Sequence, residues 1–305
     1  VRIISLLPSL TELVCALGHR ANLVGVTHEC DFPPGIERLP HLTRSRIPAS
    51  ATSAEIDATV SAERGSLYEL DDALMASLRP DLVLTQSQCD VCAVNEGAVR
   101  KCASSLPGNP RVESVNPIDW PGVAAMFAHV GEVLGNREGG EALVRAIEDD
   151  ASMIRERRGG APPVSVELLE WVDPPFVSGH WIADLLEMAG GSVALGKSGE
   201  ASRRATWCEL AEADPEVILL SPCGFSLERA EADIPTLMAR PEWRGLRAVR
   251  NGRVALVDGN QFFSRPGPRL RESLRIAAAM IDPERCSDLA QFGGWRRLGS
   301  GNPSH

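Results

Sequence analysis

Apolar residues along the chain follow two rhythms. Short continuous runs such as RIISLL (2–7), NLVGV (22–26), DLVLTQ (81–86) and RVESV (111–115) read as buried strands. Between them SLTELVCALG (9–18), ELDDALMASL (69–78) and NEGAVRKCASSL (95–106) place apolar residues every three or four positions, the helical period, and Gly18 stops the first of these helices. A polar, Pro-containing excursion from Asp31 to about Ser66 interrupts the series. Strands alternating with helices at this spacing predict a parallel sheet covered on both faces.

From Trp120 to Arg158 the pattern is helical throughout, PGVAAMFAHVGEVLG followed by GEALVRAIEDDASMIRERR, interrupted only by the glycines and Asn136 near 135–140. This predicts one long, kinked connecting helix, ended by Gly159 to Pro163. A second α/β series follows, with VSVELLE, HWIADLLEMAGG, WCELAEADPE, EVILLS, LERAEADIPTLMA, RVALVD and the closing helix RLRESLRIAAAMI. SLRPDLVLTQ (77–86) and EADPEVILLS (212–221) share one order, helix end, proline, acidic residue, apolar strand, which points to duplication. The predicted class is therefore α/β, two Rossmann-like lobes with parallel sheets joined by one long helix. The expected organisation is an N-terminal lobe over 1–119, the connecting helix over 120–159, a C-terminal lobe over 160–283 and a polar, Gly-rich tail over 284–305. A ligand cleft is expected between the lobes.

Composition narrows the function. The chain has 305 residues and is 44% hydrophobic, enough for proper cores. Its net charge of −10 argues against a nucleic-acid partner, which needs a surplus of Lys and Arg. No run of about 18 apolar residues occurs, so no membrane-spanning helix is expected. RIISLL enters a strand at once, without the apolar stretch and cleavage site of a signal peptide, which for this chain points to the cytoplasm. Eight cysteines are too scattered for a disulfide scaffold.

In parallel α/β sheets ligands sit beyond the carboxyl ends of the strands, where helix N-termini point outward. THECDFP (27–33), QSQCDVCAV (86–94) and SPCGF (221–225) occupy such positions, which makes Cys30, Cys89, Cys92 and Cys223 strand-end cysteines. Three readings stay open for the Cys89–Cys92 pair. With His28 and Cys30 it forms a soft nitrogen and sulfur set suited to zinc or an iron–sulfur centre. At the start of a helix in a thioredoxin-like unit it would be a redox pair. Otherwise the thiols line a pocket or close a local disulfide, cysteine behaving as a small buried hydrophobe.

GSVALGKS (191–198) matches the phosphate-loop pattern letter for letter, but it leaves a helix and runs into a polar stretch instead of leaving a strand and entering a helix. HExxH, GxSxG and GxGxxG are all absent, and no nucleophile is ordered beside a base, so the chain is expected not to be an enzyme. The scarce aromatics, 5% of the chain, gather in loops beside Pro and Gly: Phe32, Trp171, Phe176, Trp181, Trp207, Phe225, Phe262 and Phe263. Such loops offer flat faces to a large, partly apolar ligand.

RIISLLPSLTELVCALG at the start, LVGVTHECDFP, LRPDLVLTQ, PPFVSGHWIADLLEMAGG, ADPEVILL and LRAVRNGRVALVDGNQFFSRPGPRL together cover most of residues 1–282. In this order they resemble the vitamin B12 and iron-siderophore solute-binding proteins of ABC importers, which have a helical backbone between two lobes. The cobalamin-binding branch is most similar, since THECD, TQ with a following CxxC, and DPPFVSGHW recur there. The resemblance implies a corrinoid touching Leu7, Pro8 and Ser9, the loop His28, Glu29, Cys30, Asp31 and Phe32, Gln86 with Cys89 and Cys92, and Trp171, Asp173, Phe176, His180 and Trp181. Phe225 and Phe263 complete the expected ligand contacts. It also implies an extracytoplasmic setting, a monomer, and docking on an importer permease through one carboxylate per lobe, here Asp72 and Glu209. The leading expectation is a cobalamin or corrinoid carrier. The alternative is a cytoplasmic zinc- or iron–sulfur-binding protein on the same fold, using His28, Cys30, Cys89 and Cys92.

Overall fold

A computed structural model describes residues 1–47, 55–56, 59, 67–87 and 94–299. The chain divides into two compact units, Val1–Pro117 with Ala124–Ala142, and Ile118–Val123 with Leu143–His305.

The first unit contains β1 (Ile3–Ser5), β2 (Leu23–Gly25), β3 (Thr43–Ser45), β4 (Tyr68–Leu70), β5 (Leu82–Gln86) and β6 (Arg111–Val115). Four of these form an all-parallel sheet in the order β2-β1-β5-β6. Every residue of β1 and β5 is buried, as expected of central strands covered on both faces. Ile4, Leu6, Leu42, Met75, Val83 and Val99 pack as one core cluster. Strands β3 and β4 form a separate antiparallel ribbon. Helix Pro8–Ala16 starts three residues after β1, with proline at its first position, where a missing N–H costs nothing.

The second unit contains β7 (Val164–Val172), β8 (Pro175–Val177), β9 (Gly191–Val193), β10 (Arg203–Arg204), β11 (Val217–Leu220), β12 (Val254–Val257) and β13 (Trp295–Leu298). Their sheet runs β10-β8-β7-β11-β12-β13, with β9 also on β7. β7 is long enough to pair twice along one edge, parallel to β9 through Val164–Val166 and antiparallel to β8 through Leu169–Val172. The parallel-sheet expectation holds for the first unit and for β9-β7-β11-β12, but β8 and β13 make the second sheet mixed. The cause at β8 is a hairpin: Val172 pairs with Pro175 across Asp173 and Pro174.

Two sequence expectations change. The connector is two helices, Trp120–Val133 and Arg137–Arg158. Gly135 breaks the run with a φ of +75°, and the Asn136 carboxamide then accepts from the Gly139 amide at 3.0 Å. Residues 284–299, expected as a loose tail, carry helix Pro283–Cys286, a 3₁₀ turn Ser287–Ala290 and β13, which pairs antiparallel with β12. Arg157 anchors this stretch through Asp288 at 2.7 Å.

The duplicated motif has the same geometry in each unit. Helix Asp72–Leu78 ends on Arg79 in the left-handed region (φ 42°), and helix Trp207–Ala213 ends on Asp214 likewise (φ 36°). Each then passes a proline and an acidic residue into the strand that lies between two parallel neighbours, β5 or β11.

Candidate functional site

In the first unit the residues after β1 and β2 meet at the carboxyl ends of the strands. Leu7 precedes helix Pro8–Ala16, and its carbonyl accepts from Ser5 at 3.1 Å and Thr11 at 3.3 Å. Leu7, Pro8 and Ser9 are buried, and Ser9 Oγ has no hydrogen-bond partner. The turn after β2 is closed by the Cys30 amide donating to the Thr27 carbonyl. Cys30 is buried, its sulfur 3.1 Å from Thr11 Oγ1 and 3.2 Å from Thr27 Oγ1.

His28 turns to different partners. Its Nδ1 lies 2.7 Å from Thr43 Oγ1, its backbone N–H donates to the same oxygen at 3.2 Å, and its ring tilts against Tyr68 at 5.5 Å. Tyr68 in turn donates to Glu29 at 2.9 Å. Burial lowers the His28 pKa in spite of the Glu29 carboxylate, so the neutral imidazole prevails at pH 7. Leu6, Thr27, His28, Glu29, Thr43, Tyr68 and Val94 line a shallow recess of about 10 Å³, room for a single water molecule. Asp31 and Phe32 are exposed, and Gln86 is the buried last residue of β5. Cys89 and Cys92 lie outside the described residues.

In the second unit Trp171 ends the inward part of β7 and meets Phe225 edge-on, ring centroids 5.0 Å apart. The Arg229 guanidinium covers the Phe225 ring at 3.8 Å. Trp171 Nε1 is buried without a hydrogen-bond partner. Phe176 is half-buried with Arg204 at 5.8 Å from its ring, and Asp173 pairs with Arg240 at 3.0 Å. Gly179 must be glycine, because a side chain there would strike the backbone at Glu200 and Ala201. That close approach lets Ser202 accept from the Gly179 amide at 3.1 Å and donate to Glu170 at 2.9 Å. His180 follows with a left-handed φ of +50°, its amide donating to the Glu200 carbonyl at 2.7 Å, and burial lowers its pKa.

Three predicted ligand residues are largely shielded from solvent in the ligand-free chain. Trp181, Phe225 and Phe263 are buried, and the Trp181 indole donates to the Phe263 carbonyl at 2.8 Å. Of the two carboxylates expected to dock on a permease, Asp72 is exposed in the first turn of its helix. Glu209 is half-buried and committed to a capping box with Thr206 and to Arg203 at 3.0 Å.

The phosphate-loop pattern is filled from within. Gly191–Val193 is a strand with no helix after it, and the amides of Leu195 and Gly196 donate to the Glu167 carboxylate at 2.7 and 3.2 Å. Among the described residues no group of three or more His, Cys, Asp or Glu side chains could hold a metal ion, and Cys15, Cys102, Cys208 and Cys286 are free thiols. No helix among them is long and apolar enough to cross a membrane.

Thr43, Tyr68, Arg229 and Ser202 are the site residues that sequence reasoning missed. Thr43 and Tyr68 fall inside or beside the polar excursion, and the available signal was that Tyr68 is the only tyrosine of the chain.

Residues 3–260 match the family described as periplasmic binding protein. The chain is 23% identical over 289 residues to the uncharacterized ABC transporter substrate-binding lipoprotein YvrC of Bacillus subtilis, covering 93% of this chain and 80% of that one. A periplasmic heme-binding protein from Pseudomonas aeruginosa shares the fold with a TM-score of 0.70, at 20% identity and coverage of 98% of this chain and 95% of the other. The periplasmic vitamin B12 binding protein of Vibrio cholerae does so with 0.65, at 18% identity and coverage of 92% and 96%. The chain therefore belongs to the periplasmic binding protein family, as a substrate-binding protein of an ABC transporter that takes a small-molecule ligand, serves a permease and is not an enzyme.

Proposed function

We propose that the ligand is a corrinoid, cobalamin or a close relative. The observation that carries this reading is the division of labour among the aromatics. Phe127, Trp181, Trp243 and Phe263 are buried, whereas Phe32, Trp171 and Phe176 stay accessible, each on a strand-end loop or its hairpin. Flat apolar faces flanked by polar groups suit a large ring with an amide rim, because the ring loses water while the rim keeps its hydrogen bonds. Trp171 Nε1 and the Ser178 and Ser221 hydroxyls are buried without a hydrogen-bond partner, and Gln86 is the buried last residue of β5. The family resemblance of THECD, the TQ strand end and DPPFVSGHW favours a corrinoid over other macrocycles. On this reading Asp72 and Glu209 are the carboxylates that meet the importer.

Calorimetric titration of the purified protein with cyanocobalamin, cobinamide and hemin tests this. Saturable binding of both corrinoids is expected, weakened at least tenfold, about 1.4 kcal/mol, in Trp171→Ala. Saturable binding of hemin alone, with no heat from either corrinoid, overturns it.

A further inference from the structure

The stretch that imitates a phosphate loop has a use its pattern does not name. After β9 the chain enters no helix, and residues 194–205 run back along the β7–β8 hairpin as a strap. One end is held by Glu167, whose carboxylate takes the Leu195 and Gly196 amides at 2.7 and 3.2 Å. Gly196 lies so close to the hairpin that a Cβ there would strike the Ser178 carbonyl. Ser198 then donates at 2.8 Å to Asp184, on the helix that His180 begins. Further on, the Glu200 carbonyl takes the His180 amide at 2.7 Å and Ser202 takes the Gly179 amide at 3.1 Å. The far end pairs with β8, Arg203 opposite Val177 and Arg204 opposite Phe176, with the Arg204 guanidinium 5.8 Å from the Phe176 ring. Every residue from Phe176 to His180 is therefore paired with the strap or packed against it.

His180 keeps a left-handed φ of +50°, which a residue with a side chain holds only where its surroundings over-determine it, and such positions gather at ligand clamps. Glu167 is a costly fastener, because burial opposes its charge and pushes its pKa up to about 7. In several systems a buried ionic group of this kind fixes one conformation at the expense of stability.

We propose that Glu167 is a positioning residue for ligand binding: by holding the Leu195 and Gly196 amides it fixes the strap, and the strap sets Phe176 and the Ser178–His180 turn. The inference rests on the reading above that this hairpin meets the ligand. Glu167 itself, with no exposed surface, does not touch the ligand and acts through the strap alone. Without its carboxylate the Leu195 and Gly196 amides would lose their acceptor, and a buried amide left unpaired draws its segment away toward water.

The test pairs amide hydrogen exchange of the protein alone, read by mass spectrometry, with calorimetric titration by cyanocobalamin. In Glu167→Met, which keeps the length of the side chain and removes the acceptor, the peptide spanning 176–182 is expected to exchange at least tenfold faster while β11 stays protected, and cyanocobalamin to bind at least tenfold more weakly. Glu167→Gln, whose carboxamide oxygen still accepts, recovers most of both. Ser202→Ala releases the Gly179 amide without touching Glu167, moves both readouts the same way, and stands in for Glu167→Met where circular dichroism finds that variant unfolded. Exchange at the wild-type rate over 176–182 overturns the positioning role. Faster exchange with unchanged affinity also overturns it and leaves the corrinoid reading standing. Where wild type takes hemin and neither corrinoid, that reading falls, and the hemin affinities decide the positioning role by the same tenfold criterion. Binding of none of them overturns both.

Discussion

Glu167 sits at the middle of β7 with no exposed surface, and the amides of Leu168, Leu195 and Gly196 all donate to its carboxylate. Burial pushes its pKa up to about 7, from an ordinary value of 4.5, and the amides work against that rise. Below about pH 4.5 both the folded and the unfolded chain carry the proton, and the group costs nothing. Between there and about 7 the unfolded chain releases the proton while the folded one keeps it, so this contribution to stability falls as pH rises and levels off above. The loss amounts to roughly 3 kcal/mol. His28 and His180, both lowered by burial, act in the opposite sense as pH falls below their ordinary 6.5, so the wild-type profile alone mixes the effects. Urea midpoints of wild type and Glu167→Gln from about pH 4 to 8 separate them: the variant gains on wild type as pH rises. Parallel curves would show that the carboxylate stays ionised throughout. Single residues were unevenly legible in the sequence. The phosphate-loop pattern failed on its context, as predicted, but nothing local showed that a carboxylate some thirty positions earlier occupies its amides. Likewise Phe263 and Trp181 stand beside Pro and Gly in the sequence, and only tertiary packing turns them inward.

The pair of helices Trp120–Val133 and Arg137–Arg158 depends on glycine where the two approach. A Cβ on Gly140 would lie 2.8 Å from the Phe127 carbonyl carbon and 3.3 Å from Ala128 Cα, both backbone atoms that cannot rotate away. Alanine is the better helix former by about 1 kcal/mol, yet overpacking against backbone costs roughly 1–3 kcal/mol. Gly140→Ala is therefore expected to lower the urea midpoint, and an unchanged or higher midpoint would mean the helices part freely. Elements with strong local signals were legible: Asp71 and Thr206 cap their helices through the Leu74 and Glu209 amides, and the apolar strands β1, β5, β7, β11 and β12 fall where their runs stand. The elements that were not legible lack such signals. The ribbon β3–β4 is two three-residue strands with charged members, and β13 reads WRRL, with both arginines exposed. Their pairing partners, not their own sequences, make them strands.

At the scale of the whole chain, the repeated order of helix end, proline, acidic residue and apolar strand made two α/β units readable in the sequence, and the structure adds a left-handed cap to each. The ligand was less readable, because it turns on a few loop side chains rather than on the fold, and fold relatives at 18–20% identity include heme and vitamin B12 binders. Long-range charge pairs were invisible for the same reason. Asp150, on the helix Arg137–Arg158, accepts from Arg271 at 2.8 and 3.1 Å and from Arg275 at 2.6 and 3.1 Å, more than 120 positions away on helix Leu270–Ile281. Burial alone would raise its pKa, but the two guanidinium partners hold it below the ordinary 3.8. Its stabilisation is thus present above about pH 3.8 and is lost as pH falls through the lower folded value. Losing one partner of a fully buried pair costs about 3–5 kcal/mol, but the Arg271 side chain is 41% exposed and can turn to water. Asp150→Asn should therefore destabilise by roughly 1–3 kcal/mol at neutral pH. Because protonation does to wild type what the substitution does permanently, the gap should close on acidification, as denaturant melts at about pH 7 and pH 2.5 would show. A gap that persists unchanged in acid would assign the cost to side-chain packing and leave the charge pair without a share in holding these two distant helices together.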